Sequence, residues 1–101
     1  MSGKNGIYEK LMVIMDAELE RASGIFGPHQ SRHEAYAVIL EEVEEAREEF
    51  IQIEIALKRF WENTKNDTPH FVAKEEIIKR ALSAAAELIQ VAAMTKKDIR
   101  A

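Results

Sequence analysis

The stretch Glu41-Glu42-Val43-Glu44-Glu45-Ala46-Arg47-Glu48-Glu49 places six glutamates in nine residues, with one basic residue among them. On a helix, Glu42/Glu45, Glu41/Glu45, Glu44/Glu48 and Glu45/Glu49 stand three or four positions apart and become neighbours. Each exposed like-charge pair of this kind costs roughly 0.2–0.5 kcal/mol. A divalent cation turns that repulsion into attraction, because hard cations such as Mg²⁺ take oxygen ligands. Glu42 and Glu45 lie one turn apart beside an apolar stripe, so their carboxylates can share one ion. Without a cation the run is a solvated acidic face, the more common use of such a sequence.

A second polar pair, Glu87 and Gln90, interrupts the otherwise apolar stretch from Ala84 to Met94. An acid in such surroundings needs a partner if it is buried. The alternative is that both side chains lie on the wet face of an amphipathic helix. Should this pair converge with Glu42 and Glu45, three carboxylates at about 6 Å would repel by roughly 3 kcal/mol per pair at an effective dielectric of 20. A cation removes that penalty. Arg80 lies seven residues before Glu87, and Lys97 lies seven after Gln90. Both are placed to meet phosphate oxygens, or to serve as ordinary surface charges. His33, Phe26, Tyr36 and Trp61 carry rings that can stack on a base or take part in hydrogen bonding. Tyr36 and Trp61 fall on or beside the apolar stripe and read more simply as core, and His33 as an exposed first-turn residue.

The remaining chemistry is narrowed by what is missing. The 101 residues contain no cysteine, which removes disulfides, thiolate metal sites and a cysteine nucleophile. There is no Glu-x-x-His pair of the di-iron bundle type, no glycine-rich phosphate loop and no His-Glu-x-x-His. A formal net charge of -4 argues against coating a nucleic-acid polymer, which needs a basic surface. With 47% hydrophobic and 32% charged residues, the composition is that of a folded domain. Asp16 and Glu18 cut the apolar stretch that begins at Leu11, so neither a signal peptide nor a membrane span is expected. A cytoplasmic setting follows by default.

The elements that must position these residues are helices. Tyr8, Leu11, Met12, Met15, Leu19 and Ala22 recur at helical spacing and predict a first helix over residues 7–23, stopped by Ser23-Gly24. Gly27-Pro28 marks the following turn. Ser31 with Glu34 three residues later forms a capping box for a second helix over residues 31–64. Its stripe is Tyr36, Ile39, Val43, Ala46, Phe50, Ile53, Leu57 and Phe60. A helix of that length spans about 50 Å, too long for a compact monomer of this size. It must kink or pack on another chain. Pro69 suits the first turn of a third helix, capped by Asp67 or Thr68. The inner stripe expected there is Ile78, Ala81, Ala85, Leu88, Ala92, Thr95 and Ile99. The expected fold is one all-α domain over residues 1–101, with three main helices, a very long central one, and an antiparallel bundle completed by oligomerisation.

Glu41-Glu42-x-x-Glu45 resembles the EExxE signature of the MazG-like, all-α nucleoside triphosphate pyrophosphohydrolases. Glu87-Leu88-Ile89-Gln90 is similar to their downstream ExxD element, with Gln in place of Asp. The resemblance covers residues 31–95. It implies Mg²⁺-dependent cleavage (Mn²⁺ as an alternative ion) between the α- and β-phosphates of a nucleotide, releasing a monophosphate and pyrophosphate. On that resemblance Glu42, Glu45 and Glu87 are metal ligands, and Gln90 stands where a further acidic ligand is expected. Glu41 ligates through water or orients the attacking water. His33, Arg80 and Lys97, from their residue types and spacing, are the candidate substrate contacts. The implied assembly is a homodimer or homotetramer. The rival is a non-catalytic helical interaction protein whose acidic face serves solubility. A third option is nucleotide binding without turnover.

Overall fold

Apolar residues at helical spacing, few glycines and two prolines confined to connections leave the backbone one regular option. The computed structural model describes residues 2–100 and follows that option in the order α1 (Ser2–Phe26), α2 (Arg32–Lys65) and α3 (Phe71–Lys96). No strand occurs among the described residues, apart from an isolated parallel bridge between His29 and Ile99. No helix among them is long and apolar enough to cross a membrane.

The helix ends show how local chemistry sets the boundaries. α1 does not stop at Gly24, as the sequence suggested, but runs on to Phe26. Gly24 stays helical, and the stop falls at Gly27, whose φ is +68°. The Gly27 amide bonds the Ser23 carbonyl at 2.9 Å, which is the simple left-handed C-cap. Pro28 then prevents continuation. α2 opens as expected at Ser31, whose Oγ accepts from the Glu34 amide at 3.1 Å. The returning arm of the box goes one residue further back, with Glu34 accepting from the Gln30 amide at 3.2 Å.

The α2–α3 turn corrects another expectation. Asp67 and Thr68 do not cap α3; they close α2. The Thr68 amide reaches the Asn63 carbonyl at 2.9 Å and the Asp67 amide reaches that of Thr64 at 3.4 Å. This is a Schellman pattern, with Asp67 at φ +50° in the position that usually takes glycine. Pro69 precedes the helix, and His70 is the first residue whose carbonyl accepts a helical bond, from the Lys74 amide at 3.0 Å.

Contacts divide the chain into two units. The first holds the chain up to Val43 together with the part from Leu88 onward. Its core is Ala22, Ala93 and Met94, against which Met15, Leu19, Val38 and Ile39 pack. His29, 1% exposed, locks this unit. Its Nε2–H donates to the Met94 carbonyl at 2.8 Å, one of the carbonyls that the end of α3 leaves without a helical partner. Its backbone amide bonds the Asp98 carbonyl at 2.9 Å, and its own carbonyl accepts from the Arg100 amide at 2.8 Å. The loop before α2 is thereby strapped to the segment after α3.

The second unit is Glu44–Glu87, the C-terminal part of α2 with the N-terminal part of α3. Its buried hydrophobic residues are Ala46, Ala56, Ala73 and Ala84. Small side chains at these positions let two helices approach closely. Phe60 and His70 meet at 5.3 Å between ring centroids beside the turn.

Burial corrects the expected stripes. Tyr36 is 69% exposed, and Phe50, Leu57 and Trp61 are exposed as well. On α3, Ile78 and Leu88 face solvent, while Ala73, Ala84, Ala93 and Met94 are buried; Ile99, expected on the same stripe, lies beyond the end of the helix in the bridge to His29. The buried positions stand beside the expected ones, Ala84 next to Ala85 and Ala93 next to Ala92. Apolar residues surround the Ala-rich part of α3 on all sides, so periodicity there has no contrast with which to select a face. Alanines lie on both sides, Ala84 and Ala93 inward and Ala81, Ala85 and Ala86 outward, so residue type does not select the face either.

Two stability tests follow. Asp67→Gly relieves the left-handed strain and should stabilise by about 0.5–1 kcal/mol, raising the melting temperature by a few degrees in a calorimetric scan. His29→Ala removes a buried donor and orphans the Met94 carbonyl, and should cost about 2–3 kcal/mol in a urea titration.

Candidate metal centre

The centre begins with the regular turn of α2. Three residues of rise bring Glu42 and Glu45 to the same side, and the helix runs unbroken through the acidic run. Glu87 comes from α3. Each of the three carboxylates offers an oxygen, and these oxygens all lie within 4.8 Å of one another. Glu42 and Glu87 are half-buried. The donors are hard carboxylate oxygens from two helices, the type that Mg²⁺, Mn²⁺ and Ca²⁺ select. Ligand oxygens around one Mg²⁺ stand about 3.0 Å apart when adjacent and about 4.2 Å when opposite, given metal–oxygen distances near 2.1 Å. Small rotamer adjustments span the difference, so the residues fit such an ion.

The other sequence candidates are placed differently. Glu41 precedes Glu42 on α2 and is exposed. Gln90, one turn beyond Glu87, is turned toward α1, where its Nε2 donates to Glu18 Oε1 at 2.9 Å. Arg80 is committed to acids on both helices of its unit. Its Nε donates to Glu76 at 2.8 Å, and a terminal nitrogen pairs with Glu49 at 3.4 Å. The Glu76 hydrogen bond holds the Arg80 pKa above its ordinary value, and the same bond lowers that of Glu76. An open cleft of about 370 Å³ lies beside it, lined by Glu48, Glu49, Ile51, Gln52 and Arg80. A phosphate entering there would share the guanidinium with Glu76 and Glu49, since arginine carries five N–H donors. Lys97 is buried near the end of α3 with its ammonium 5.9 Å from the Phe26 ring centroid, a cation–π distance. His33 is exposed in the first turn of α2, about 13 Å along the axis before Glu42.

Glu18 is the acid that sequence reading passed over. Arg21 Nε donates to both of its carboxylate oxygens, at 3.1 and 3.0 Å. The Arg21 bond, with that from Gln90 second, holds the Glu18 pKa down at about 2 against an ordinary 4.5. The i,i+3 spacing to Arg21 was visible in the sequence. The contact with Gln90, seventy-two positions away, was not.

Comparison of the chain with protein families, with characterised proteins and with solved structures gives no match.

The Glu18 geometry carries a pH prediction. A carboxylate whose pKa is lower in the folded than in the unfolded chain adds stability above its unfolded value and loses it as pH falls toward the folded one. The contribution of Glu18 should therefore be complete above about pH 4.5 and fade toward pH 2. Glu18→Gln should flatten the acid limb of a stability–pH curve in that window, and should leave the slope above pH 5 unchanged.

Proposed function

We propose that this chain is a Mg²⁺-dependent nucleotide pyrophosphohydrolase of MazG-like type, acting on a nucleoside or deoxynucleoside triphosphate or a related nucleotide. The observation that carries the proposal is the convergence of Glu42, Glu45 and Glu87, two adjacent turns of α2 facing one residue of α3. The resemblance of Glu41-Glu42-x-x-Glu45 and Glu87-Leu88-Ile89-Gln90 to that family's acidic elements supports it from the sequence.

In this reading Glu42, Glu45 and Glu87 hold the cation, with Mn²⁺ as a substitute. When bound, the ion offsets phosphate charge and acidifies water near the scissile bond. Glu41, next to Glu42 and open to solvent, orients the attacking water and takes its proton. Water adds to the α-phosphorus, the bond from that phosphorus to the bridging oxygen breaks, and pyrophosphate departs with the electron pair. Arg80 and Lys97 are the cations proposed to meet phosphate oxygens. Arg80 would reach them with the guanidinium N–H groups that Glu76 and Glu49 leave unused. His33 is assigned to the outer part of the nucleotide. Gln90 contributes no charge, and its amide nitrogen is engaged by Glu18. That engagement favours a second reading, nucleotide binding with weak or no turnover.

Two measurements test the proposal. Mg²⁺ should raise the melting temperature, since a ligand at ten times its Kd stabilises the native state by about 1.4 kcal/mol. Glu45→Gln should abolish that rise. The same protein should release pyrophosphate from at least one member of a nucleotide panel, with loss of at least about 100-fold in Glu45→Gln. A Mg²⁺ response without pyrophosphate release selects the binding-only reading. Melting that is indifferent to Mg²⁺ overturns both.

A further inference from the structure

Toward the α2–α3 turn the sign of the charge on α2 changes. Six glutamates stand between Glu41 and Glu49, whereas Lys58 and Arg59 follow about 13 Å further along the helix. Among the described residues neither of these two cations has a hydrogen bond or an ion pair. Arg59 acts on Glu76 through space, while the hydrogen bond of Glu76 goes to Arg80. Both cations line one open cleft of about 480 Å³ within the Glu44–Glu87 unit. Glu62, the acid on its lining, is paired with Lys65 at 3.1 Å.

The cleft has an apolar side as well. Ile55 of α2 lines it, with Val72 and the buried Ala73 of α3. The turn beside it is fixed. Asn63 Nδ2 donates to Thr68 Oγ1 at 3.0 Å, and the Thr68 amide bonds the Asn63 carbonyl at 2.9 Å. A ligand therefore meets a shape already in place, and binding has less disorder to remove. The volume falls in the range of small-molecule pockets, roughly 300–1,000 Å³. An apolar lining with a few charged groups that fix orientation is the chemistry such pockets use.

We propose that this cleft is a ligand site separate from the metal centre, taking a small molecule with a carboxylate or phosphate head on a short apolar body. The Arg59 guanidinium offers a planar fork of N–H donors that matches either head, and the Lys58 ammonium adds a second charge. The body lies against Ile55, Val72 and Ala73 and removes their apolar surface from water. A neutral apolar ligand would leave both cations without a counter-charge. A long polyanion would run over the glutamates upstream on α2 and be repelled. A small anion meets the cations and avoids the acids. Glu45 lies thirteen residues before Lys58, about 20 Å along α2, and no residue of the cleft belongs to the carboxylate triad. The inference is therefore independent of the metal centre.

Amide ¹H–¹⁵N correlation spectra of the full chain, titrated with hexyl phosphate and with hexanoate to about 20 mM, test it. 1-Hexanol and inorganic phosphate serve as body-only and head-only probes. At least one hexyl anion should give saturable shifts centred on the amides of Arg59, Asn63, Val72 and Ala73, and the head that binds more tightly names the class. Arg59→Gln and Lys58→Gln should each raise its dissociation constant about tenfold, the loss of one charge-assisted contact. Lys10→Gln, at an exposed lysine of α1 outside the cleft, should leave it unchanged. Lys58 and Arg59 are exposed, so both variants should fold, and spectra that overlay on the native one away from the cleft check this. No saturable shift with either hexyl anion overturns the inference. So do shifts centred outside the cleft, a dissociation constant unchanged in both Gln variants, or 1-hexanol or inorganic phosphate binding as tightly as the hexyl anions.

Discussion

Charge repulsion at close quarters is the constraint around which the candidate centre is arranged. Three carboxylates from two helices lie within 4.8 Å of one another, and two of them are half-buried. In water such acids separate, and in a folded chain they need positive charge or hydrogen-bond donors nearby. Several acids of the molecule are compensated by a cation or an amide. Glu18 has Arg21 and Gln90, Glu49 and Glu76 share Arg80, and Asp16 has Lys96. The proposed divalent cation would act in the same way on Glu42, Glu45 and Glu87.

The helices hold this group by means that have little to do with the acids themselves. The Ser31 cap starts α2 eleven residues before Glu42, and the Schellman turn at Asp67 ends it well beyond Glu49. Alanines set the separation of α2 and α3 in the Glu44–Glu87 unit. His29 secures the other unit by joining the loop before α2 to the end of α3. Stability and site are thus supplied by different residues. Charge-neutralising substitutions at the triad can alter cation binding without removing a cap or a core contact.

Much of this was legible in the chain. The Ser31–Glu34 pair marks a helix start by chemistry that needs no tertiary context, and the three-residue spacing of Glu42 and Glu45 guarantees a shared side on any helix. Glu87 stood out as an acid in an apolar stretch. Its meeting with Glu42 and Glu45 depended on helix register, which no local pattern encodes. The same limit applies on α3, where alanines and aliphatics on every side leave local pattern no face to select, and Ala84 and Ala93 turn inward beside the expected Ala85 and Ala92. Tyr36 was assigned to the core because it continues a stripe, yet a stripe specifies only a face and not what covers it. His29 carried no periodic signal, since it lies in a loop and acts through single long-range hydrogen bonds. Asp67 was mistaken for a start of α3 because aspartate serves both as an N-cap and, less often, as a left-handed stop.

The central proposal is a cation held jointly by acids from α2 and α3. Anomalous diffraction from a crystal soaked in Mn²⁺ reads that directly. One strong peak should lie within coordination distance of Glu42, Glu45 and Glu87, and be absent from Glu45→Gln. A soaked crystal with no peak among these three carboxylates, or with Mn²⁺ bound only elsewhere on the acidic run, would contradict it.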